Sequence, residues 1–459
     1  MPILVYLNYN PFMKKYFTVI ALLGSFTVLA QKNAPLTNKS FAANAQHNGV
    51  YTTMNYSAFG GVKWKFTTKG KIFSSPLIAG SKAYIGSEDH NLYAIDLQSG
   101  KQVWKFATNG AVSSSPAIYG NSICFGSYDG YYYMLNANTG KLNWKFKTGG
   151  ERKVGAKGLW TMKPLNKYMD DLYDFFLSSP VFNDDINNPT VYFGSSDGKF
   201  YALDAGTGKL RWSFKTNGII HSSPAVYHGK VYFGSWDTYL YALNAADGKL
   251  VWKFKTADQP VYHLLEGIQA SPTCGNGKVY FGARDGYFYA LNAEKGTQVW
   301  KYSANNSWIL TTAAVQNNTV YFGTSDTYQF VAADAHTGKP KFVYKGNGYL
   351  YSSPALSANT AFFGDFTGKL FAVNLLSGKA TDVFIVPGRK LNAANVLKDD
   401  TLNFAHAAGG ADNSLYQTGI DVMNKLYTLG SVVSSPVIDN GVIYFGSADG
   451  SLYAINLIK

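Results

Sequence analysis

Between Tyr192 and Trp212 the chain reads YFGSSDGKFYALDAGTGKLRW. VYFGS alternates apolar and small or polar residues, and FYALDA alternates again. The Asp197-Gly198 pair between them marks a tight hairpin, because glycine accepts the positive φ such turns need. Thr207-Gly208-Lys209 then turns the chain into a third strand carrying Trp212. The unit therefore reads as consecutive antiparallel strands.

Near-copies fill the rest of the chain. A Ser-Ser-Pro mark precedes each unit at Ser74–Pro76, Ser114–Pro116, Ser178–Pro180, Ser222–Pro224, Ser352–Pro354 and Ser434–Pro436, with degenerate copies at Ala270–Pro272 and Thr311–Ala313. The second strands open at Tyr84, Cys124, Tyr192, Tyr232, Tyr280, Tyr321, Phe362 and Tyr444, which again makes eight. Four strands (A to D) recurring at a period of about forty residues are the signature of a β-propeller. The eighth unit lacks its D strand, and a spare one, Val62–Phe66, stands before the first A strand. The expected fold is all-β: an eight-bladed propeller whose last blade is closed by the N-terminal strand. Closure removes the free sheet edges of an open array.

An Ala, a Gly six residues later and a Trp four after that recur as Ala94-Gly100-Trp104, Ala202-Gly208-Trp212, Ala242-Gly248-Trp252 and Ala290-Gly296-Trp300, with Met134-Gly140-Trp144 and Ala332-Gly338-Phe342 as variants. In the seventh unit Asp382 stands where Trp is expected, and Trp64 would serve the eighth. These motifs resemble the pyrroloquinoline-quinone-type (PQQ-like) eight-bladed propellers with tryptophan-docking motifs, over residues 41 to 459. Gln46-His47-Asn48-Gly49 resembles the lead-in such proteins carry. The resemblance makes Trp64, Trp104, Trp144, Trp212, Trp252 and Trp300 structural, each indole packing on a Gly turn and a small Ala and burying ~150–250 Å². The family contains both the non-catalytic propeller subunit of the outer-membrane β-barrel assembly machinery and the quinoprotein dehydrogenases. The latter hold the quinone over a Trp floor with calcium on Glu, Asn and Asp, an Asp base and a partnering Arg.

Composition narrows the classes. Cys124 and Cys274 sit in strand-like apolar contexts and read as buried free thiols; without CxxCH or a Cys/His cluster, neither covalent haem nor a metal site is expected. The formal charge of +13 is carried in part by Lys65, Lys105, Lys145, Lys147, Lys253 and Lys255. They alternate with Trp and Phe and so should face outward on the outermost strands, where charge discourages edge pairing. Lysines dispersed in this way make a poor nucleic-acid stripe, and no nucleic-acid partner is expected. Residues 13–30, MKKYFTVIALLGSFTVLA, resemble a signal peptide, so residues 1–30 read as an extension plus leader and 31–60 as a polar arm before the propeller at 61–459. The expectation is an exported monomer, periplasmic or secreted, with no lipid-anchoring Cys after the leader.

The repeat is broken by insertions at 151–176, 256–268 and 384–423, all between a D strand and the next A strand. These connections and the B-to-C hairpins emerge on one face, where function is expected, because a scaffold keeps its strands and varies its loops. That face gathers Arg152, His221, Trp236, Asp237, His263, Glu266, Arg284 and Trp308, the composition of a small-ligand or peptide site. The hairpin aspartates Asp89, Asp129, Asp197, Asp237, Asp285 and Asp449 read as turn formers. The favoured expectation is a non-catalytic binding or scaffold module for a protein, peptide or glycan, with no cofactor. The alternatives are a PQQ- and calcium-dependent dehydrogenase, with Glu266, Asp237, Arg284 and Trp236 as groups of suitable chemistry, and a polysaccharide-binding protein. The Asn/Ala/Gly-rich third insertion could cap the channel or meet a partner.

Overall fold

The computed structural model describes residues 38–459 apart from 184, 186 and 258–266. Eight antiparallel blades of four strands span 77–107, 117–147, 181–215, 225–255, 273–303, 314–345, 355–385 and, for the last, 437–458 completed by Ala58–Thr67, and Asn38–Lys39 adds a fifth strand to the second. The N-terminal strand pairs Trp64 with Ala454 and Phe66 with Leu452, as the count of D strands requires. The six lysines named above are exposed on the outer strands, and Lys145 and Lys253 lie over Tyr131 and Tyr239 at 4.7 and 4.5 Å.

The hairpins form for a local reason that repeats. Gly198 has φ +75°, and the Asp197 carboxylate accepts the Lys199 amide at 2.8 Å and the Tyr201 hydroxyl. Its second oxygen also accepts the Gly149 amide at 2.7 Å, which ties the hairpin to the D-to-A connection entering the same blade. Asp89, Asp129, Asp237 and Asp285 repeat this with Tyr93, Tyr133, Tyr241 and Tyr289 and with the amides of Lys69, Asn109, Asn217 and Ala257.

The docking tryptophans differ from expectation in one respect. The Ala of each motif is the cross-strand partner of its own Trp, but the Gly on which that Trp lies belongs to the following blade. Trp144 pairs across the strands with Met134, yet it lies on Gly208, where an added Cβ would come within 2.7 Å of the indole. Its Nε1 donates to the Ala205 carbonyl at 2.9 Å. Trp64, Trp104, Trp212, Trp252 and Trp300 each donate likewise to the next blade, and Phe342 lies on Gly378. A residue on the outermost strand reaches past its own sheet edge, so it staples blades together rather than completing one.

The missing Trp at Asp382 has a geometric cause. In blade 8 the C strand runs on to Ile458 beside Ala58 and Phe59, and no glycine turn stands where an indole from blade 7 would land. Asp382 instead accepts the Phe59 amide at 2.8 Å, bonding blade 7 to the strand that closes the ring.

Around the axis the second residue of each Ser-Ser-Pro mark forms a belt. The amides of Ser75, Ser115, Ser179, Ser223, Thr312, Ser353 and Ser435 each donate, at 2.9 Å, to the hydroxyl of the corresponding serine one blade on. Inside this belt the axial void is about 30 Å3, walled also by Phe41, Phe176, Leu310 and Tyr351. Beyond the belt, on the side of the A-to-B turns, the arm threads across the inner strands: Ala45, Gln46, Asn48 and Gly49 accept the amides of Val226, Cys274, Val315 and Leu356. His47 is buried there against the Pro272 carbonyl at 3.0 Å, and burial pulls its pKa down to about 4. Cys124 and Cys274 are buried and free. Leader residues 1–30 lie outside the described residues; within these, no helix is long and apolar enough to cross a membrane.

These contacts generate a paired prediction. Trp104→Ala should lower the unfolding free energy by about 3–5 kcal/mol, the range for removing a buried indole. Asp382→Ala should cost about 1–2 kcal/mol through the orphaned Phe59 amide, and Asp382→Trp should fail to recover it because no glycine turn is there to receive the ring. Urea titrations of the three variants check this; a stabilised Asp382→Trp protein refutes it.

Candidate functional site

The D-to-A connections and the B-to-C hairpins share one face, and two of the insertions meet on it. The first carries short paired strands at Gly155–Lys157 and Tyr168–Asp170. The third, contrary to its polar look in sequence, folds into three helices, α1 (Pro387–Asn392), α2 (Phe404–Ala408) and α3 (Tyr416–Thr428), so it runs past its expected end at 423. α3 buries Thr418, Gly419, Val422, Met423 and Leu426, a helical spacing that was readable beneath the polar residues. The insertions join through Lys163, whose amide donates to Ser414 and whose carbonyl accepts from Tyr416. Together they cover the channel mouth with an apolar cluster that includes Phe73, Phe175, Tyr351, Phe366, Leu426 and Val433.

Beneath this cap lies a buried polar chain. Asp174 accepts from His221 Nδ1 at 2.9 Å, and His221 Nε2 meets Ser196 Oγ at 2.8 Å. Ser196 in turn donates to Glu151, which also accepts from Ser195 at 2.7 Å. Asp, His and Ser in this order resemble a nucleophilic triad, but the protonation runs the other way. Burial opposes a charge on His221, yet the Asp174 carboxylate outweighs it and raises the imidazole above its ordinary value. Burial likewise opposes ionisation of Asp174, and His221 together with the Val154 amide holds it below its own. In the imidazolium form, which this shift favours, both nitrogens donate, and Ser196 then accepts from His221 and gives its own proton to Glu151. His221 is only 1% exposed and Ser196 3%. The chain anchors the first insertion to blades 3 and 4.

Next to it, Arg284 is buried between two indoles, its guanidinium carbon 4.5 Å from the Trp236 ring and 4.2 Å from that of Trp308. Its Nη1 lies 2.6 Å from Asp171 Oδ2, a charge contact without hydrogen-bond alignment, and Nη2 donates to Gln269. The structure thus brings together His221, Trp236, Arg284 and Trp308. Asp237 remains in its turn, bonded like its counterparts. The Arg152 side chain is exposed and makes no ion pair among the described residues, while its carbonyl lies 3.0 Å from Ser196 Oγ. His263 and Glu266 lie outside the described residues.

Beside Trp308 an open cavity of about 390 Å3 is lined by Trp160, Tyr173, Tyr349, Tyr351, Asp326, Asn305 and Asn306. Trp160 lies 5.8 Å from Tyr173 and 6.1 Å from Trp308, and Tyr173 meets Tyr349 edge-on at 5.7 Å. Trp160 has φ +52°, a conformation costing a bulky residue of order 1–3 kcal/mol, so the contacts around it hold the ring in place. Asp326 is exposed on the cavity's open side, where partial desolvation by the walls raises the carboxyl above its ordinary value. Sequence reasoning missed Asp326, Tyr349, Tyr351 and Gln269. The signal was columnar: Tyr351 and Gln269 occupy the position just before Ser-Ser-Pro that His221 holds in blade 4, and Asp326 stands in the blade 6 hairpin, which is one residue longer than its counterparts.

If His221 anchors the insertion as an imidazolium, its contribution is full below the ordinary pKa of 6.5 and fades as pH rises through the raised folded value. His221→Gln should therefore cost about 3–5 kcal/mol at pH 6, by stranding the buried Asp174 charge, and distinctly less at pH 9. Urea unfolding of both proteins at the two pH values measures the gap; a gap that widens with pH contradicts the assignment.

The crystal structure of BamB from Moraxella catarrhalis superposes with a TM-score of 0.62 at 14% identity, over 87% of this chain and 99% of that one. Quinohemoprotein alcohol dehydrogenase from Comamonas testosteroni gives 0.62 at 12% identity, over 86% of this chain and 76% of that one. The computationally designed Ika8 protein gives 0.61 at 14%, over 86% and 100%. At such identities these likenesses establish the propeller alone. No curated protein sequence matches the chain. The family described as outer membrane protein assembly factor BamB matches residues 54–157, 155–270 and 263–459, and this chain, as a PQQ-like eight-bladed propeller, belongs to it.

Proposed function

We propose that this chain is a non-catalytic binding module of the cell envelope that takes a protein or peptide partner on its insertion-bearing face. The observation that carries the reading is how the reactive side chains there are used. His221, Asp174, Ser196 and Glu151 are spent on one another, and Arg284 is spent on Asp171, Gln269 and two indoles. What remains open is an aromatic cavity with polar edges, and aromatic surface is what protein and peptide contacts use. Envelope location rests on the family.

The dehydrogenase alternative asks for a quinone bearing three carboxylates, and the residues present do not fit it. The axial void, about 30 Å3, is too small for a tricyclic ring system. The larger cavity has the room, but it offers the carboxylate of Asp326, which repels an anion, and no cation lines it among the described residues.

Pull-downs from an envelope extract test the reading. A Trp160→Ala, Tyr349→Ala double variant should lose the partner at least tenfold, and Tyr227→Ala, in a cavity of the A-to-B turn side, should retain it. Loss only in the second variant places the site on the other face. Dye reduction with alcohols or sugars after addition of the quinone and calcium would refute the non-catalytic reading.

A further inference from the structure

We infer that the cavity bounded by Trp160, Tyr173, Trp308, Tyr349, Tyr351 and Asp326 is a binding site for a cationic alkylammonium group, the chemistry shared by a lysine side chain and a quaternary ammonium. The inference rests on the binding-module reading above and names what that face would recognise.

Three observations point to a cation. The first is the state of Asp326. In blades 1 to 5 and 8 the hairpin aspartate is tied to a tyrosine hydroxyl four residues on, at Tyr93, Tyr133, Tyr201, Tyr241, Tyr289 and Tyr453. Blade 6 has a hairpin one residue longer, so Val331 stands in the column of those tyrosines, and the Asp326 carboxylate lines the cavity with no tyrosine to hold it. No cation pairs with it among the described residues. Asp326 is exposed at the cavity's open side, and partial desolvation by the walls raises its carboxyl.

The second is the wall. Five aromatic residues line the cavity beside Asp326, with Tyr349 and Tyr351 stacked at 5.9 Å and Tyr173 set edge-on to Tyr349. Ring faces carry negative quadrupole density and attract ammonium groups within about 6 Å of the centroid. A purely apolar ligand would need no carboxylate.

The third is that this part of the fold already handles a cation in the same way. Arg284 lies on Trp308, the ring that also lines the cavity, and on Trp236. Asp171 neutralises it at 2.6 Å, so its charge does not exclude a second cation. Nor does the chain's charge of +13, since the outer-strand lysines are exposed and physiological salt screens them beyond about 8 Å.

The test uses the full chain and calorimetry with three probes: choline, its neutral isostere 3,3-dimethylbutanol, and a short peptide with one central lysine. Choline or the peptide should bind, the neutral isostere at least about tenfold more weakly than choline, and Asp326→Asn should weaken the cationic probe at least fivefold with an unchanged unfolding midpoint. Tighter binding of choline than of the peptide identifies a quaternary ammonium as the source, and the reverse identifies a lysine. Equal affinity for choline and its isostere would reduce the site to an apolar pocket and overturn the inference, as would no binding of either cation by folded protein. If the probes fail while the Trp160, Tyr349 variant still loses its partner, only the ammonium assignment falls; if that variant also keeps its partner, the binding-face reading falls with it.

Discussion

The ring depends on one contact made seven times: an aromatic side chain on the outer strand of one blade lying on a backbone glycine of the next. Each blade is a small sheet whose two faces must be buried, and its neighbours supply the cover. The inner strands can meet around the axis through the serine belt. The outer strands diverge, and there the gap is spanned by Trp64, Trp104, Trp144, Trp212, Trp252, Trp300 and Phe342. Glycine is required twice over at the landing point. Gly208 sits at φ +70°, and any Cβ there would collide with the Trp144 ring. The indole Nε1 then finds the carbonyl of the alanine or leucine at the same turn, so the buried donor is satisfied as the ring is packed.

This contact explains why the blades were legible in the sequence and also where the reading went astray. Strand alternation, the Asp-Gly hairpins and the Ser-Ser-Pro marks are local signals, and a local signal repeated eight times fixes both the count and the closing strand. The direction of docking is not local. The motif places Ala, Gly and Trp within eleven residues, but Gly100 receives Trp64 and Gly140 receives Trp104, so the spacing records two half-contacts of different partnerships. Asp382 is the exception that follows from the same geometry. Where the ring is closed by a strand from the other end of the chain, no C-to-D turn is available, and a carboxylate accepting a backbone amide replaces an indole on a glycine.

The face was harder to read because its chemistry is assembled across blades. Glu151, Asp174, Ser196 and His221 come from an insertion, a hairpin and a D-to-A connection, with no spacing that links them. His221, Trp236, Arg284 and Trp308 were recognisable as departures from the repeat, and the structure does gather them, but around each other. A buried charge is costly unless it is paired, so groups that look reactive in a list become a pairing scheme once the insertions bury them. The cap has the same origin: α3 packs Val422, Met423 and Leu426 onto the mouth, and those residues are scattered among polar ones in the sequence.

What the scaffold then leaves free is informative because so little is free. The belt and the arm close the axis, the hairpin aspartates are held by tyrosines, and the cap consumes the mouth. Asp326 has no tyrosine to hold it, because its hairpin is one residue longer and Val331 stands in the tyrosine column. It shares its cavity with Trp160, a large residue kept at a backbone angle that it adopts only under constraint. Either feature alone is unremarkable in a propeller of this size. Their coincidence in one cavity is not required by the blade, since the hairpins of blades 1 to 5 and 8 tie their aspartates with neither an extra residue nor a strained tryptophan beside them.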